Sequence, residues 1–151
     1  SSSGSGRRKH FRLALRECEL LDRIANYCGA GQDGESPVKS LFDQFTGHPP
    51  QVTSCISEND VVTWHTMSVL RKKSYSIPDD ISIIGFDDRS VCTMTDPPLT
   101  TIKNYRHLLG REAVIMIKNK LALYHLGMPD LPIKYELPTE LIERESVKTL
   151  N

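Results

Sequence analysis

The chain has 151 residues, enough for one domain with a hydrophobic core of its own. Its 19 basic residues equal its 19 acidic residues, whereas a DNA-binding module usually carries a basic surplus, so we do not expect this chain to hold DNA by itself. Hydrophobic residues make up 38% and charged residues 25%, which is typical of a globular protein. The sequence shows no apolar run long enough to span a membrane and no visible signal peptide.

The N-terminal third of the chain predicts two helices joined by a glycine-rich loop. Residues 1–6 (SSSGSG) are small and polar, which is typical either of a linker or of a loop that faces a ligand. From Arg7 onward, apolar residues recur at helical spacing and include Phe11, Ala14, Leu15 and Cys18. Ser36 and Pro37 mark the start of the second helix, because serine caps a helix and proline fits its first position.

The rest of the chain alternates between strands and helices. The predicted strands are 52–56, 81–86, 100–103, 133–137 and 140–143, and the predicted helices are 60–73 and 106–126. Residues 81–86 (ISIIGF) form a nearly continuous apolar run, as expected for a parallel strand that is buried on both faces. The alternation predicts an α/β fold in which helices cover both faces of a mostly parallel sheet.

The helix predicted at 60–73 carries apolar residues on more than one side, among them Val61, Trp64, Met67 and Leu70. One side can cover the sheet, but the other would stay exposed unless a further molecule packed there. Exposed apolar surface of this kind often marks an interface. We therefore expect this helix to take part in a contact between protein chains, with His65 as a packing or interface residue.

Polar clusters follow two of the predicted strands. CISEND ends in Asn59 and Asp60, and IIGFDD ends in Asp87 and Asp88. Ligands bind beyond the carboxyl ends of the strands in open parallel sheets, so these side chains would share one crevice if the strands are neighbours. Carboxylate and amide groups there would suit a sugar or a nucleoside. The alternative is that Asn59 or Asp60 caps the next helix and that the two aspartates form a turn.

Motifs for catalysis, metal binding and cofactor binding are missing from the sequence. It contains no phosphate-binding loop, no dinucleotide-binding glycine motif and no nucleophile elbow. No two histidines stand four residues apart, as a metal site on a helix would require; the five are His10, His48, His65, His107 and His125. We therefore expect a protein that is not an enzyme and that uses neither a metal nor a cofactor.

The cysteines are predicted to be reduced and structural. They are Cys18, Cys28, Cys55 and Cys92, and no two of them have a metal-ligand spacing. Cys18 and Cys55 fall within apolar patterns, which predicts small buried side chains. Reduced cysteines suit a cytoplasmic protein, and we expect this location for the chain.

Several motifs together resemble the LacI/GalR family of transcription regulators. That family typically shows a strand ending in A-N-D, then V-P-x-D-I-S-V-V-G-F-D-D, then P-P-L-T-T-V or P-P-L-T-T-I. This chain has SEND at 57–60, IPDDISIIGFDD at 77–88, DPPLTTIKN at 96–104, LGREA at 109–113 and LPTELIERES at 137–146. Each motif alone is a weak signal, but their joint occurrence in this order is highly specific.

The resemblance implies a periplasmic-binding-protein-like effector domain of type I, in which two α/β subdomains enclose a small ligand. Residues 7–146 would form the C-terminal subdomain, which binds effector and dimerises, and residues 147–151 would form a tail. The N-terminal subdomain and a helix-turn-helix headpiece that binds DNA would lie outside this chain. The resemblance also implies a homodimer that makes no contact with a membrane.

The resemblance assigns roles to individual residues. Asn59 matches the family's ligand-binding asparagine, and Asp87 its ligand-binding aspartate. Arg7 stands where the family has a ligand-binding arginine before Gly-Phe, with His10 in place of that glycine. Asn104 matches a position that often reaches into the pocket. The family dimerises through the helix after the asparagine and the loop before P-P-L-T-T, which here predicts interface residues Val61, Trp64, His65, Ser68, Cys92 and Met94.

The implied mechanism is a population shift. The effector favours one relative orientation of the subdomains, which sets the spacing of two headpieces and so the affinity for DNA. The chain would cross between subdomains at 99–104 and 133–141, and these crossings would act as hinges. Three alternatives stay open: a solute-binding protein for sugar uptake, which would need an export signal; a sugar-handling enzyme of flavodoxin-like fold; and a winged-helix headpiece joined to the same effector domain.

Overall fold

A computed structural model describes residues 2–19, 52–129 and 132–149. Its helices are α1 (Ser2–Glu17), α2 (Asp60–Lys72) and α3 (Arg106–His125), and its strands are β1 (Ser54–Ile56), β2 (Ser82–Phe86), β3 (Thr100–Asn104) and β4 (Thr139–Ile142). A 3-10 helix (Ser90–Thr93) lies between β2 and β3. The helix predicted from Ser36 and Pro37 falls outside the described residues, as does Cys28. Within the described ranges, no helix has the length and apolar character needed to cross a membrane.

The four strands form one sheet in the order β1-β2-β3-β4. The first three strands run parallel, and β4 returns antiparallel to β3. In register, Cys55 lies beside Ile83, and Gly85 lies beside Thr101. Parallel neighbours require a crossover segment that carries the chain back, which is why strands and connecting segments alternate in the sequence. The predicted mostly parallel sheet is confirmed.

The core lies between the sheet and α2. Its buried hydrophobic residues are Met67, Leu70, Tyr75, Ile81, Ile83, Cys92 and Leu99. Because Met67 and Leu70 are buried, one side of α2 covers the sheet as predicted. Along β2, buried residues alternate with half-buried ones, so the second face of this strand is less covered among the described residues than the apolar run predicted.

A carboxylate is buried at the start of α2. Asp60 is fully buried; its Oδ1 accepts a hydrogen bond from the Thr101 hydroxyl at 2.6 Å, and its Oδ2 accepts one from the Arg89 amide at 2.7 Å. Gly85 leaves the space for this side chain, because a Cβ there would collide with Asp60 Oδ1 and lie 3.0 Å from Leu99 Cδ2. Burial of an ionised group is costly unless its oxygens are bonded, so the fold depends on these partners.

The segment after β4 binds the amino ends of β2 and β3. The buried Ser146 hydroxyl donates to the Ile83 carbonyl at 2.6 Å and accepts from the Thr100 amide at 2.9 Å. The Ile83 amide donates in turn to the Ser146 carbonyl at 2.8 Å. Farther along, the Lys148 amide donates to the Ser82 hydroxyl at 3.0 Å. One serine therefore satisfies backbone groups of two neighbouring strands, and the segment predicted as a tail is attached to the sheet at its start.

α1 begins earlier than predicted and is followed by an exposed cysteine. The helix starts at Ser2, so residues 2–6 are helical, not the linker or loop predicted there. Phe11 and Leu15, four residues apart, are half-buried, as expected for one side of a helix. Cys18 was predicted to be buried with them, and this prediction is wrong. Cys18 lies in the turn beyond the last helical residue and is exposed.

α3 is a regular helix that buries none of its residues. Its half-buried positions are Leu108, Glu112, Met116 and Lys120. Two residues of the predicted apolar side are exposed instead, with 56% of Leu109 and 66% of Ile117 accessible.

Residues 133–137 were predicted as a strand, which is wrong: they have no regular structure. A strand needs a hydrogen-bonding neighbour, and none of the described strands pairs with this segment.

Replacement of Gly85 by alanine tests the close approach of Asp60 to β2. We expect Gly85→Ala to lower the free energy of unfolding by about 1–3 kcal/mol, because the added methyl group overpacks the space around a buried carboxylate. Urea denaturation of the purified chain, followed by circular dichroism, measures the difference.

Gly110→Ala is the matched control, since a Cβ at Gly110 meets nothing within 4 Å. Alanine inside α3 should leave the stability unchanged or raise it by up to about 1 kcal/mol, through its higher helix propensity. Equal unfolding midpoints for the Gly85→Ala variant and the unmodified chain would contradict the packing described above.

Candidate functional site

The carboxyl ends of β1, β2 and β3 lie side by side at one edge of the sheet, because these strands are parallel and adjacent. Asn59 follows β1, Asp87 follows β2, and Asn104 is the last residue of β3. The strands that carry the predicted polar clusters are therefore neighbours, as the crevice hypothesis requires. We call this edge, with Asn59, Asp87 and Asn104, the polar edge; it is where open parallel sheets bind ligands.

Asp87 and Asn104 are in direct contact at the polar edge. The Asn104 side-chain amide donates to Asp87 Oδ1 at 2.7 Å, and the Asp87 backbone amide donates to the Ile102 carbonyl at 2.8 Å. Asn104 Oδ1 remains buried without a hydrogen-bond partner. Buried acceptors are almost always bonded in folded proteins, so this atom marks a place where a donor is expected.

The turn after β2 has a strained backbone. Asp87 has a φ of 109° and Asp88 a φ of 49°, values that non-glycine residues rarely adopt. The two side chains point to different partners: Asp87 contacts Asn104, and Asp88 forms an ion pair with Arg144 at 2.8 Å. Strained conformations persist only where surrounding contacts hold them, and they cluster at binding sites. The turn is thus fixed on both sides before any ligand arrives.

Asn59 caps α2. Its Oδ1 accepts hydrogen bonds from the amides of Val61 at 3.1 Å and Val62 at 3.0 Å, which confirms the capping interpretation for this residue. The cap uses the acceptor of the side chain and not the Nδ2 donors, so a cap and a ligand contact are compatible in one residue. Asp60 was grouped with Asn59 as part of the crevice, and this is wrong: its bonded carboxylate lies fully inside the core.

Arg7 is the remaining predicted ligand residue. Its backbone lies within α1, but its side chain falls outside the described residues. Its role as a ligand contact therefore stays a prediction that rests on the family resemblance.

Cys92 lies beneath the turn after β2. Burial, followed by the hydrogen bond from the thiol to the Asp60 carboxylate, raises the pKa of Cys92 to about 12. A thiol in this environment stays protonated and unreactive at neutral pH. Cys92 was predicted to face a dimer partner, and this is wrong for its side chain, which is fully enclosed by the core.

The other predicted interface residues lie at the surface. Trp64 is 45% exposed and Met94 is 77% exposed; His65 is also exposed, and Val61 and Ser68 are half-buried. The rings of Trp64 and His65 are 5.0 Å apart. Val61, Trp64 and Ser68 have the spacing of one helix face, so α2 presents a second, partly apolar face outward. We call this surface, together with His65 and Met94, the Trp64 face.

Neither a metal site nor a second formed pocket accompanies the polar edge in the described residues. Among the residues that the structure describes, no three His, Cys, Asp or Glu side chains come together in a group that could hold a metal ion. An open depression of about 500 Å³ runs along α3 and is lined by Arg106, His107, Gly110, Arg111, Val114, Ile115 and Lys118. Because a single helix supplies all of its lining, this depression is a helix surface and not a formed pocket.

Three residues that hold the sheet and the turn after β2 in place were not predicted from the sequence: Thr101, Arg144 and Ser146. Thr101 binds Asp60, Arg144 binds Asp88, and Ser146 joins the amino ends of β2 and β3. A signal was present, because threonine and serine inside strand motifs are polar residues at positions that a sheet buries. Their partners lie more than forty positions away in each case, with separations of 41, 56, 46 and 63 residues, which hides the pairing from local pattern.

Known proteins share this architecture. Residues 1–147 match the family model described as a periplasmic binding protein-like domain. The repressor CytR of Escherichia coli strain K12 is 32% identical over 126 residues, covering 78% of this chain and 36% of CytR. The complex of the regulator CelR with cellobiose has a TM-score of 0.74 at 25% identity, covering 95% of this chain and 42% of that one. A LacI family regulator from Enterococcus faecalis with bound ribose has a TM-score of 0.61 at 28% identity, covering 76% and 40%.

A mostly parallel sheet joined by helical crossovers defines an open α/β domain. Within that class, the chain belongs to the periplasmic binding protein-like domains of the LacI/GalR family of transcription regulators. The resemblance found in the sequence motifs is thereby confirmed. The chain spans about two fifths of the length of the curated relatives it matches.

Asn104→Asp tests the contact at the polar edge. The change sets a second carboxylate against Asp87, which turns a 2.7 Å attraction into repulsion and raises the pKa of one of the two carboxyl groups in the folded state. A group whose folded pKa is raised contributes stability below its unfolded pKa and loses that stability as the pH rises. We expect a deficit of about 1–2 kcal/mol near pH 7 that largely disappears near pH 4.

Thermal unfolding at both pH values measures this deficit against the unmodified chain. Asn104→Ala is the control, because it removes the hydrogen bond without adding a charge; its deficit should be the same at both pH values. If the deficit of Asn104→Asp were also independent of pH, the two side chains would not be in contact.

Proposed function

We propose that this chain is the effector-binding and dimerising part of a ligand-responsive transcription regulator. The contact between Asp87 and Asn104, with a buried acceptor left open beside it, carries the proposal. The relatives are named as transcriptional repressors and regulators, and two solved neighbours contain a bound sugar. The polar edge holds a ligand without reacting with it, so the chain acts as a sensor and not as an enzyme.

The effector is a sugar or a nucleoside-like compound, rich in hydroxyl groups. Asp87 Oδ2 and Asn104 Oδ1 can only accept hydrogen bonds, and adjacent hydroxyls of one ligand can donate to both. Asn59 offers amide donors to ligand oxygens, and Arg7 adds guanidinium donors in the family's arrangement. An anionic group would be repelled beside Asp87, which favours a neutral effector.

A second α/β subdomain, outside this chain, would cover α3 and provide the other wall of the pocket. Support comes from the large apolar side chains that α3 and its flank expose, namely Leu109, Val114, Ile117, Leu121, Leu126 and Met128. Ile133 and Tyr135 are exposed as well, in the segment that leads into β4. Residues 7–146 are thus the C-terminal subdomain, and a separate headpiece would bind DNA in the cytoplasm.

Regulation would follow from the way the chain crosses between the two subdomains. The crossings at 99–104 and 133–141 lie on either side of α3, so a change in their backbone angles would rotate one subdomain against the other. Asn104 belongs to the first crossing and also to the polar edge. A bound effector would therefore favour one orientation directly, and that orientation would set the distance between two headpieces.

The Trp64 face would join two copies of the chain. It combines an indole ring and a methionine, side chains that are enriched at interfaces, with a polar rim that includes Ser68. In a symmetric dimer the same face of both copies meets, so α2 would pack near its own copy.

Light scattering of the chain in solution tests the dimer. We expect a mass of about 34 kDa, twice the 17.0 kDa of one chain. Trp64→Glu should give a monomer, because it buries a charge in an apolar contact. Tyr124→Glu is the control, since it changes an exposed aromatic residue on α3 in the same way and should leave the dimer intact. A monomeric unmodified chain, or a dimer that only Tyr124→Glu dissociates, would contradict the assignment to the Trp64 face.

Titration calorimetry with cellobiose, ribose and adenosine tests the effector site. On a protein extended to include the preceding subdomain, we expect one of these compounds to bind, and Asp87→Ala to weaken binding at least about tenfold through loss of a charged hydrogen-bond partner. Asp79→Ala, an exposed carboxylate in the turn before β2, is the control and should bind like the unmodified protein.

Two results would contradict this proposal. Binding that is unaffected by Asp87→Ala would place the effector elsewhere. A micromolar dissociation constant for the 151-residue chain alone would contradict the division into two subdomains, because a ligand shared between two walls should bind poorly to one.

A solute-binding protein for sugar uptake is the second candidate, because it shares the fold. The residues encoded upstream of this chain distinguish the two functions. A helix-turn-helix or a winged-helix headpiece there would support regulation of transcription, whereas an export signal would overturn it in favour of uptake.

A further inference from the structure

Asp60 stands between the polar edge and the Trp64 face. In α2 it follows Asn59 and precedes Trp64 by four residues, about one helical turn. Its Oδ2 accepts a hydrogen bond from the Arg89 amide at 2.7 Å, and Arg89 comes two residues after Asp87. One buried side chain therefore links the turn that carries a candidate ligand residue to the helix that carries the candidate interface.

Donors from two different elements converge on this carboxylate. The Thr101 hydroxyl reaches it from β3 at 2.6 Å, and the Arg89 amide reaches it from the turn after β2 at 2.7 Å. Asp60, Thr101 and Cys92 are all fully buried, so water cannot replace a lost donor unless the core opens. If the turn after β2 shifts, the Asp60 carboxylate must therefore shift with it.

Hydrogen bonds tie the first turn of α2 to its capping residue. Asn59 Oδ1 binds the amides of Val61 and Val62, and the Asn59 carbonyl accepts the Thr63 hydroxyl at 2.8 Å. These bonds fix the cap to the first helical residues. Because Asp60 is itself the first residue of α2, a displacement of Asp60 displaces the helix start.

We propose that Asp60 is a positioning residue that transmits a displacement of the turn at Asp87 to the outward face of α2 at Trp64. The proposal rests on the proposed function, in which an effector binds at the polar edge and dimers form through α2. Asp60 itself touches neither the effector nor a partner subunit, since it is fully enclosed. The strained φ of Asp87 makes the turn sensitive, because its backbone is already held away from its preferred conformation.

Hydrogen–deuterium exchange of the whole chain, without effector, tests this link. Thr101→Val removes the β3 hydroxyl, and Thr101→Ser keeps one at the same place. We expect Thr101→Val to raise amide exchange at least about fivefold in residues 87–95 and 61–66 together, with residues 82–86 unchanged. Thr101→Ser should exchange like the unmodified chain in all three segments.

Two further variants sharpen the test. Asp60→Asn replaces one acceptor by a donor and should give the same pattern, with no added effect of Thr101→Val in that background, because the link is already broken. Asp80→Asn is the matched control: Asp80 also accepts a backbone amide at 2.7 Å, from Ser76, but in an exposed turn. It should leave the exchange of all three segments unchanged. Should Asp60→Asn not fold, the two Thr101 variants decide the question alone.

Three results would overturn the link. An increase confined to residues 87–95 would mean that the turn moves without α2. An equal increase in residues 82–86 would mean general loosening of the sheet, and no change with Thr101→Val would mean that β3 has no part in holding Asp60. No effector is used, so failure of the link leaves the proposed function intact. Conversely, a linked response in a protein that binds none of the three test compounds would support the link and count against the proposed function.

Discussion

A charge removed from water must be fully hydrogen-bonded, and much of this fold follows from that constraint at Asp60. Thr101 supplies one donor from β3, and the amide of Arg89 supplies another from the turn after β2. Gly85 keeps β2 free of a side chain where the carboxylate approaches it. Loss of one donor would leave a buried carboxylate oxygen without its hydrogen bond, which costs about 1–3 kcal/mol. The spacing of α2 from the sheet and the path of the turn therefore depend on one side chain.

The same constraint prepares the polar edge before a ligand arrives. Asp88 is held by Arg144, whose guanidinium also donates to the Leu99 carbonyl at 2.8 Å, so the turn is tied to the start of β3. Asp87 is held by Asn104 at the end of that strand. A binding residue that is already fixed loses little freedom when it meets a ligand, which favours affinity. The turn that would carry the proposed effector contact is thus already strained and held by Arg144 and Asn104.

The sequence predicts which residues follow a strand and so lie at the polar edge. It does not predict whether their side chains point into the core or toward solvent. A polar residue directly after a strand marks the sheet edge, so Asp87 could be placed there from its motif, whereas Asn104 was predicted from the family resemblance alone. The burial of Asp60 and Cys92 could not be predicted, because both lie in polar or loop-like stretches and only tertiary packing encloses them. The strand at 133–137 failed for a related reason: an apolar run indicates what a segment would bury, not whether a partner strand is present.

Ser146 has a consequence for how this domain is made. Its hydroxyl completes backbone groups of Ile83 and Thr100, which precede it by 63 and 46 residues. On the ribosome, β2 and β3 emerge well before β4, so the sheet stays unfinished until the segment through Ser146 has left the exit tunnel. Contacts between such distant residues slow folding and leave strand edges exposed in the meantime. Backbone groups at the amino ends of these two strands therefore stay unpaired until Ser146 is in place.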